Sequence, residues 1–322
     1  MENYTDEHLG NFTTKQRIIN SIIQKNMPHA LLISGPKNTG KYNFLHTLAT
    51  KILNNKNPIS PYLVTVDELY KEGVNSLEEI SAQNNSSFNQ FERKKQKKKS
   101  DKIGVEDIEA ATKYLYETID GDAKIVIIRD IERMTIPASN KFLKLLEEPP
   151  QKTFFFLTTS TPLKILATII SRCRTENFSL LSQKEMEETL NDSEKNTEFY
   201  SENEKKMLML LSAGKSELFE KMQNNEEFFT EKKEKYKEVL ELEKMTNLEK
   251  MQKAETFAKI NITEILDFLE LLLLVKRENL QNVKNRENSK TLEILEKTDE
   301  AIILLQQNAN KRLVLENLFL SL

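Results

Sequence analysis

Three short, almost wholly apolar runs constrain this chain more than any other feature: ALLIS at 30–34, KIVII at 124–128 and TFFFLT at 153–158. Such runs, rich in β-branched and aromatic residues, read as strands buried on both faces, the pattern of a parallel sheet covered by helices. Helical periodicity surrounds them. Ile18, Ile19, Ile22 and Ile23 share one face, with Thr13 or Thr14 as the cap and Pro28 as the stop. Phe44, Leu45, Leu48 and Ile52 line the inner side of a second helix. YLVTV, 62–66, is strand-like, and a helix resumes near Val105 and ends by Gly121. Pro137 opens a further helix at a favoured first-turn position, and Pro149-Pro150 stop it. The helix after Pro162 is expected to end at Ser171-Arg172-Cys173. Strands alternating with helices imply an α/β domain with a mostly parallel sheet and helical crossovers.

From about 180 onward no strand signal survives. Residues 180–222 look like a small helical unit, and amphipathic helices are expected at 233–243, 247–260, 263–281, 289–306 and 311–320. The resulting division is 1–179 for the α/β domain, 180–224 for a small helical lid and 225–322 for an all-α C-terminal domain, in keeping with a length of 322 residues. Leu266 to Val275 is the greasiest stretch, but it carries Asp267 and Glu270 and is too short to span a bilayer. Apolar residues nearly all round Leu271 to Val275 imply burial on more than one side. An intrachain bundle and contact with neighbouring subunits supply that equally well. Residues 71–102 lose periodicity and read as a solvated, mobile insertion. Its basic run, Arg93 to Lys99, is either a solvated linker or a sequence-independent DNA contact. Only Phe91 lies beside it, so no base-stacking platform is supported.

Composition narrows the partners. A net charge of -3 gives no global field for polyanions. Cys173 is the only cysteine, and His8, His29 and His46 lack metal-ligand spacing, so no disulfide and no zinc are expected. The opening MENYTDEHLG is polar rather than a secretory signal, and a reducing cytoplasm is the expected location, with no membrane partner.

The first apolar run feeds directly into GPKNTGKY. Gly35, Gly40 and Lys41 fit the phosphate-loop pattern G-x-x-x-x-G-K, but Tyr42 stands where Ser or Thr belongs. In a working loop the backbone N–H groups and helix N-terminus cradle phosphates, Lys reaches the β and γ phosphates, and the hydroxyl ligates Mg²⁺. A phenol on a rigid ring does not replace that hydroxyl in an octahedral site. After KIVII a hydrolysing enzyme carries Asp for the metal and then a second acid. This chain has Arg129 and then Asp130. With two independent magnesium contacts gone, intrinsic ATP hydrolysis is not expected. The loop is either a tight turn without ligand or a weak, non-hydrolysing site for ATP or ADP.

Further motifs follow in order: KIGVEDIEAATKYL, KIVIIRDIERM, NKFLKLLEEPP, LTTSTP, IISRCR and the tail NANKRLVLENLFLSL. Together with MPHALLISGPKNTGK they resemble the clamp-loader branch of the AAA+ ATPases, closely over 12–60 and 102–182 and more loosely over 228–322. The altered phosphate site resembles the delta-prime-like members of that branch. The resemblance implies an AAA+ P-loop domain, a helical lid and a C-terminal collar, in a five-subunit arc that opens a ring clamp and places it on primed DNA. Partners implied are an ATPase motor subunit, a clamp-opening delta subunit and the sliding clamp. The SRC arginine, Arg172 here, is implied to act in trans on the ATP site of a neighbour; read alone, it is a surface arginine after a helix. Thr159 and Ser160 fall where the family places a phosphate-sensing polar residue, or else are strand-end hydroxyls satisfied locally. After Gly214 the family often has a second sensing arginine, whereas Ser216, Glu217 and Leu218 stand here. The family's four-Cys zinc knuckle has no cysteines in this chain. Lys141 and Lys144 are either a solvated face or turned to a DNA-holding chamber. Two rival functions stay open: an active motor ATPase with an unusual metal site, and a DNA-binding module using the 93–99 run.

Overall fold

A computed structural model of the chain describes residues 9–24, 26–53, 63–66, 102–117, 123–191, 200–282 and 288–322. The expected insertion, apart from Lys102, and its basic run 93–99 lie outside the described residues. The chain divides into two compact units: Met1–Glu185 with Lys215–Leu218, and Met186–Gly214 with Phe219–Leu322.

The first unit is built on β1 (Ala30–Ser34), β2 (Leu63–Thr65), β3 (Lys124–Ile128), β4 (Thr153–Thr159) and β5 (Arg174–Asn177). They form one parallel sheet in the order β2-β3-β4-β1-β5. Side chains alternate across a strand. Leu32, Val126, Ile128, Phe155 and Leu157 therefore enter one core, with α3 (Val105–Glu117) and α4 (Ile136–Glu147). Leu31, Ile33, Ile125, Ile127 and Phe156 enter the other, with α1 (Phe12–Ile23) and α2 (Lys41–Ile52). Both faces are covered, which is why the three strands carry continuous apolar runs.

Several expectations need correction. Helix α1 starts at Phe12, ahead of both threonines, with Asn11 in a left-handed conformation at its N-cap. The Asn11 side chain instead holds Ser179, donating to its carbonyl at 3.1 Å and accepting its N–H at 2.7 Å. Helix α1 also ends at Ile23, before Pro28. The segment after Pro162 is a single 3-10 turn, Pro162–Lys164, followed by the four-residue α5, Ala167–Ile170. Ile165 leaves the helical region between them (φ -91°, ψ 144°). Strand β5 has no apolar run. It pairs only with β1 at the sheet edge, and its buried Glu176 is held by Arg17 at 3.2 Å and Arg174 at 2.9 Å.

Helix α6 (Gln183–Asn191) follows β5. Then come α7 (Glu202–Ser212), α8 (Ser216–Asn224), α9 (Glu226–Leu242), α10 (Asn247–Ala258), α11 (Ile262–Asn282), α12 (Asn288–Gln306) and α13 (Lys311–Ser321). Helix α9 begins seven residues earlier than periodicity indicated, because the Asn225 side chain caps it at Phe228 N. Capping boxes start α7 (Ser201 with Glu204) and α10 (Thr246 with Glu249). The second unit's core is aromatic at its centre: Phe257 lies 4.7 Å from Phe268 and 6.0 Å from Phe319, ring to ring. Leu272, Leu273 and Val275 are buried, while Leu271 and Leu274 are half-buried. Among the described residues no helix is long and apolar enough to cross a membrane.

Phe156 is fully buried in central β4. Phe156→Ala is expected to cost about 3–5 kcal/mol, through lost burial and a residual cavity. Guanidinium unfolding followed by circular dichroism should show that loss, and Phe156→Leu should show much less.

Candidate functional site

Parallel strands end on the same edge, and β3, β4 and β1 are neighbours. The glycine loop after Ser34, the Arg129-Asp130 pair after Ile128 and the Thr159-Ser160 pair at the end of β4 are thus gathered together, where open α/β sheets place ligands.

Both glycines of the loop are needed by the backbone. Gly35 has φ 153°, and a Cβ there would lie 2.3 Å from the Phe178 carbonyl oxygen. The loop is pinned at that point, with Phe178 N–H donating to Ser34 O at 2.7 Å and Gly35 N–H to Thr159 O at 3.2 Å. Gly40 caps α2 in the left-handed region (φ 74°). Lys41 turns back onto the loop. Its Nζ donates to Gly35 O at 2.8 Å and Pro36 O at 2.5 Å, and the residue is buried. Burial holds its ammonium below the ordinary lysine value, against the attraction of Asp130, Glu132 and Glu217.

Tyr42 and Arg129, which stand where the motif expects a hydroxyl and a carboxylate, meet each other. The Arg129 guanidinium lies 4.3 Å from the centre of the Tyr42 ring. The ring also approaches His46 at 5.7 Å and packs against the core beneath α2. A cation–π contact of this kind contributes about 1 kcal/mol. A hard divalent cation needs oxygen ligands at about 2.1 Å. A guanidinium on an aromatic face offers none and repels the ion, so these residues do not fit magnesium. Among the described residues no group of three or more His, Cys, Asp or Glu is placed to hold a metal.

The polar strand ends are engaged locally. Asp130, in a left-handed conformation (φ 49°), donates its N–H to Thr158 Oγ1 at 3.0 Å. Buried Thr159 accepts from Thr161 N–H at 3.1 Å. Ser160 donates both its N–H (3.0 Å) and its hydroxyl (2.8 Å) to Glu132 Oε1. Burial alone would raise the Glu132 pKa, but the donors from Ser160 and Thr159 outweigh it and hold the carboxyl below the ordinary glutamate value. Glu132 was not singled out from the sequence; its place two residues after Asp130 was the available signal.

The segment Lys215–Leu218 belongs to the same unit as the loop. Glu217 N–H donates to Asn38 O at 3.0 Å, and Asn43 Nδ2 donates to Glu217 Oε1 at 3.3 Å. An acid therefore faces Lys41 from the place where the resemblance implied a sensing arginine. Arg172 lies after α5 and makes a different set of contacts. Its Nη2 donates to Glu147 Oε1 at 2.7 Å and its Nη1 to Thr168 O at 3.0 Å. Of the two lysines on α4, Lys141 pairs with Glu109.

A parallel sheet in the order β2-β3-β4-β1-β5, with a glycine loop between β1 and α2, defines an AAA+-type P-loop domain. The family described as "DNA polymerase III, delta subunit" matches residues 10–182, more than half of the chain, and the chain belongs to that family. It is 29% identical over 176 residues to the DNA polymerase III subunit delta' of Bacillus subtilis, which covers 54% of this chain and 49% of that protein. Over 73 residues it is 45% identical to the delta' subunit of Escherichia coli, covering 22% of each chain. It is also 28% identical over 166 residues to the B. subtilis subunit tau, covering 51% of this chain and 27% of that protein. The matched stretches thus span half or less of these relatives' own length. A gamma subunit-related protein of Thermotoga maritima aligns over 94% of this chain and 97% of its own, at 18% identity and a TM-score of 0.48, a likeness too loose to add to the topology.

Two outcomes follow for this site. Gly35→Ala should destabilise the first unit by about 1–3 kcal/mol in denaturant unfolding, because the methyl group meets a backbone oxygen. The Glu132 carboxyl is more acidic in the folded state, so its contribution to stability is present above its ordinary pKa and is lost as pH falls through the folded value. The stability gap between wild type and Glu132→Gln should therefore be constant near neutrality and shrink in acid.

Proposed function

We propose that this chain is a delta-prime-like subunit of a DNA polymerase III clamp loader whose own phosphate site hydrolyses little or no ATP. In this reading Arg172 acts in trans, at the ATP site of a neighbouring motor subunit, while a ring clamp is placed on primed DNA. The partners are that motor ATPase, a clamp-opening delta subunit, the sliding clamp and the DNA. Residues 180–224 act as a lid and 225–322 as a collar. No bound nucleotide and no zinc are required; any ATP or ADP held by Gly35, Gly40 and Lys41 is weakly bound and not turned over.

The observation that carries the reading is the Tyr42–Arg129 stack. It puts a fixed cation and an aromatic ring where hydrolysis needs a hydroxyl, a carboxylate and a metal. Family membership supports the assembly. Arginine suits the trans role because its permanently charged fork matches phosphate oxygens and can offset charge developing on a transferred phosphoryl group. The match to subunit tau favours the rival, an active motor subunit, and the same experiment decides between them.

The isolated chain should show no Mg²⁺-dependent ATP turnover above background, and measurable turnover would favour the rival. In the reconstituted assembly, Arg172→Ala should lower DNA- and clamp-stimulated ATP turnover about tenfold or more, equal to about 1.4 kcal/mol of barrier. An unchanged rate in an intact assembly would reduce the chain to a scaffold.

A further inference from the structure

The motif NKFLKLLEEPP contains a carboxylate that the phosphate site leaves without a task. Glu147 is the last residue of α4. An acid there faces the negative end of the helix dipole, an unfavourable place unless something cationic meets it. Arg172 does, through Nη2 at 2.7 Å. We propose that Glu147 is a positioning residue for Arg172, presetting its guanidinium for an anionic oxygen on the neighbouring subunit. This inference rests on the trans role of Arg172 proposed above.

The geometry supports positioning over simple stabilisation. Two anchors from different elements hold the guanidinium: the Glu147 carboxylate at the end of α4 and the Thr168 carbonyl in α5. The side chains of Arg172 and Glu147 are 36% and 51% exposed, and an ion pair so open to solvent adds little to folding stability. Its effect lies in orientation. A long, flexible arginine loses rotamer freedom when it grips phosphate, and a preset one loses less. A guanidinium has five N–H groups, and these two bonds use two of them, so three are left over from this pair of anchors. The carboxylate also offsets part of the guanidinium charge. A brake rather than a guide would follow if that effect won, and the direction of the rate change separates the two.

The test uses the reconstituted assembly with clamp and primed DNA, and reads kcat and KM for ATP alongside assembly by gel filtration. Glu147→Ala should lower kcat about three- to tenfold with KM unchanged. Glu147→Gln, whose amide oxygen still accepts a hydrogen bond, should keep most of the rate. The double variant Glu147→Ala/Arg172→Ala should be no slower than Arg172→Ala alone, because residues acting as one unit are not additive. A Glu147→Ala rate equal to or above wild type overturns the proposal. So does an equal further loss in the Arg172→Ala background, which would mean that Glu147 acts through something else. If Arg172→Ala leaves the rate unchanged, the trans role itself fails and this inference falls with it. A loss in Arg172→Ala without one in Glu147→Ala removes the inference and leaves the trans role standing.

Discussion

Strand β4 lies between β3 and β1, and all three run the same way. The rest of the site depends on that pairing. Its register sets Ser34 against Thr159 and Ile128 against Leu157, so the chain leaves three adjacent strands at nearly one level. What leaves β4 is polar, and it is used at once. Thr158 accepts the Asp130 N–H, and Ser160 donates its N–H and hydroxyl to the Glu132 carboxylate. These bonds fix the path of the chain after β3. Arg129 is carried along that path to Tyr42, the second residue of the helix after β1. A one-residue slip in β4 would turn its hydroxyls to the wrong faces and undo the arrangement.

Charged groups of the site face one another. Lys41 faces Asp130, Glu132 and Glu217, and spends its donors on the loop's carbonyls. A phosphate entering here would have to draw Lys41 away from two close hydrogen bonds. It would also approach three carboxylates. The Lys41 ammonium is thus engaged with groups of the protein itself. Glu217 contributes to this from a distant part of the sequence, through a segment that packs with the loop in the first unit.

Much of the fold was legible in the sequence because the buried strands are apolar on both faces, which leaves β-rich runs that nothing else explains. Strand β5 was not legible. An edge strand with one buried glutamate, paired to Arg17 and Arg174, has a polar composition that resembles a loop. Helix starts set by a side-chain cap, such as Asn225, lie outside the apolar pattern and escape a search for periodicity. At the site, spacing exposed Tyr42 and Arg129 as two separate losses. That they stack on each other is a property of the sheet order and had no linear signature. Gly35 fitted a phosphate motif, yet its backbone requirement comes from Phe178, far along the chain.

The contact between Arg129 and Tyr42 has a consequence for where the charge at this edge of the sheet comes from. A magnesium ion comes and goes with its concentration, its chelators and the nucleotide that carries it. A guanidinium bonded to the chain and laid on a neighbouring ring does none of these. Its charge cannot be diluted or exchanged. The positive charge at this edge of the sheet is thereby carried by the chain itself, on a side chain laid against its neighbour.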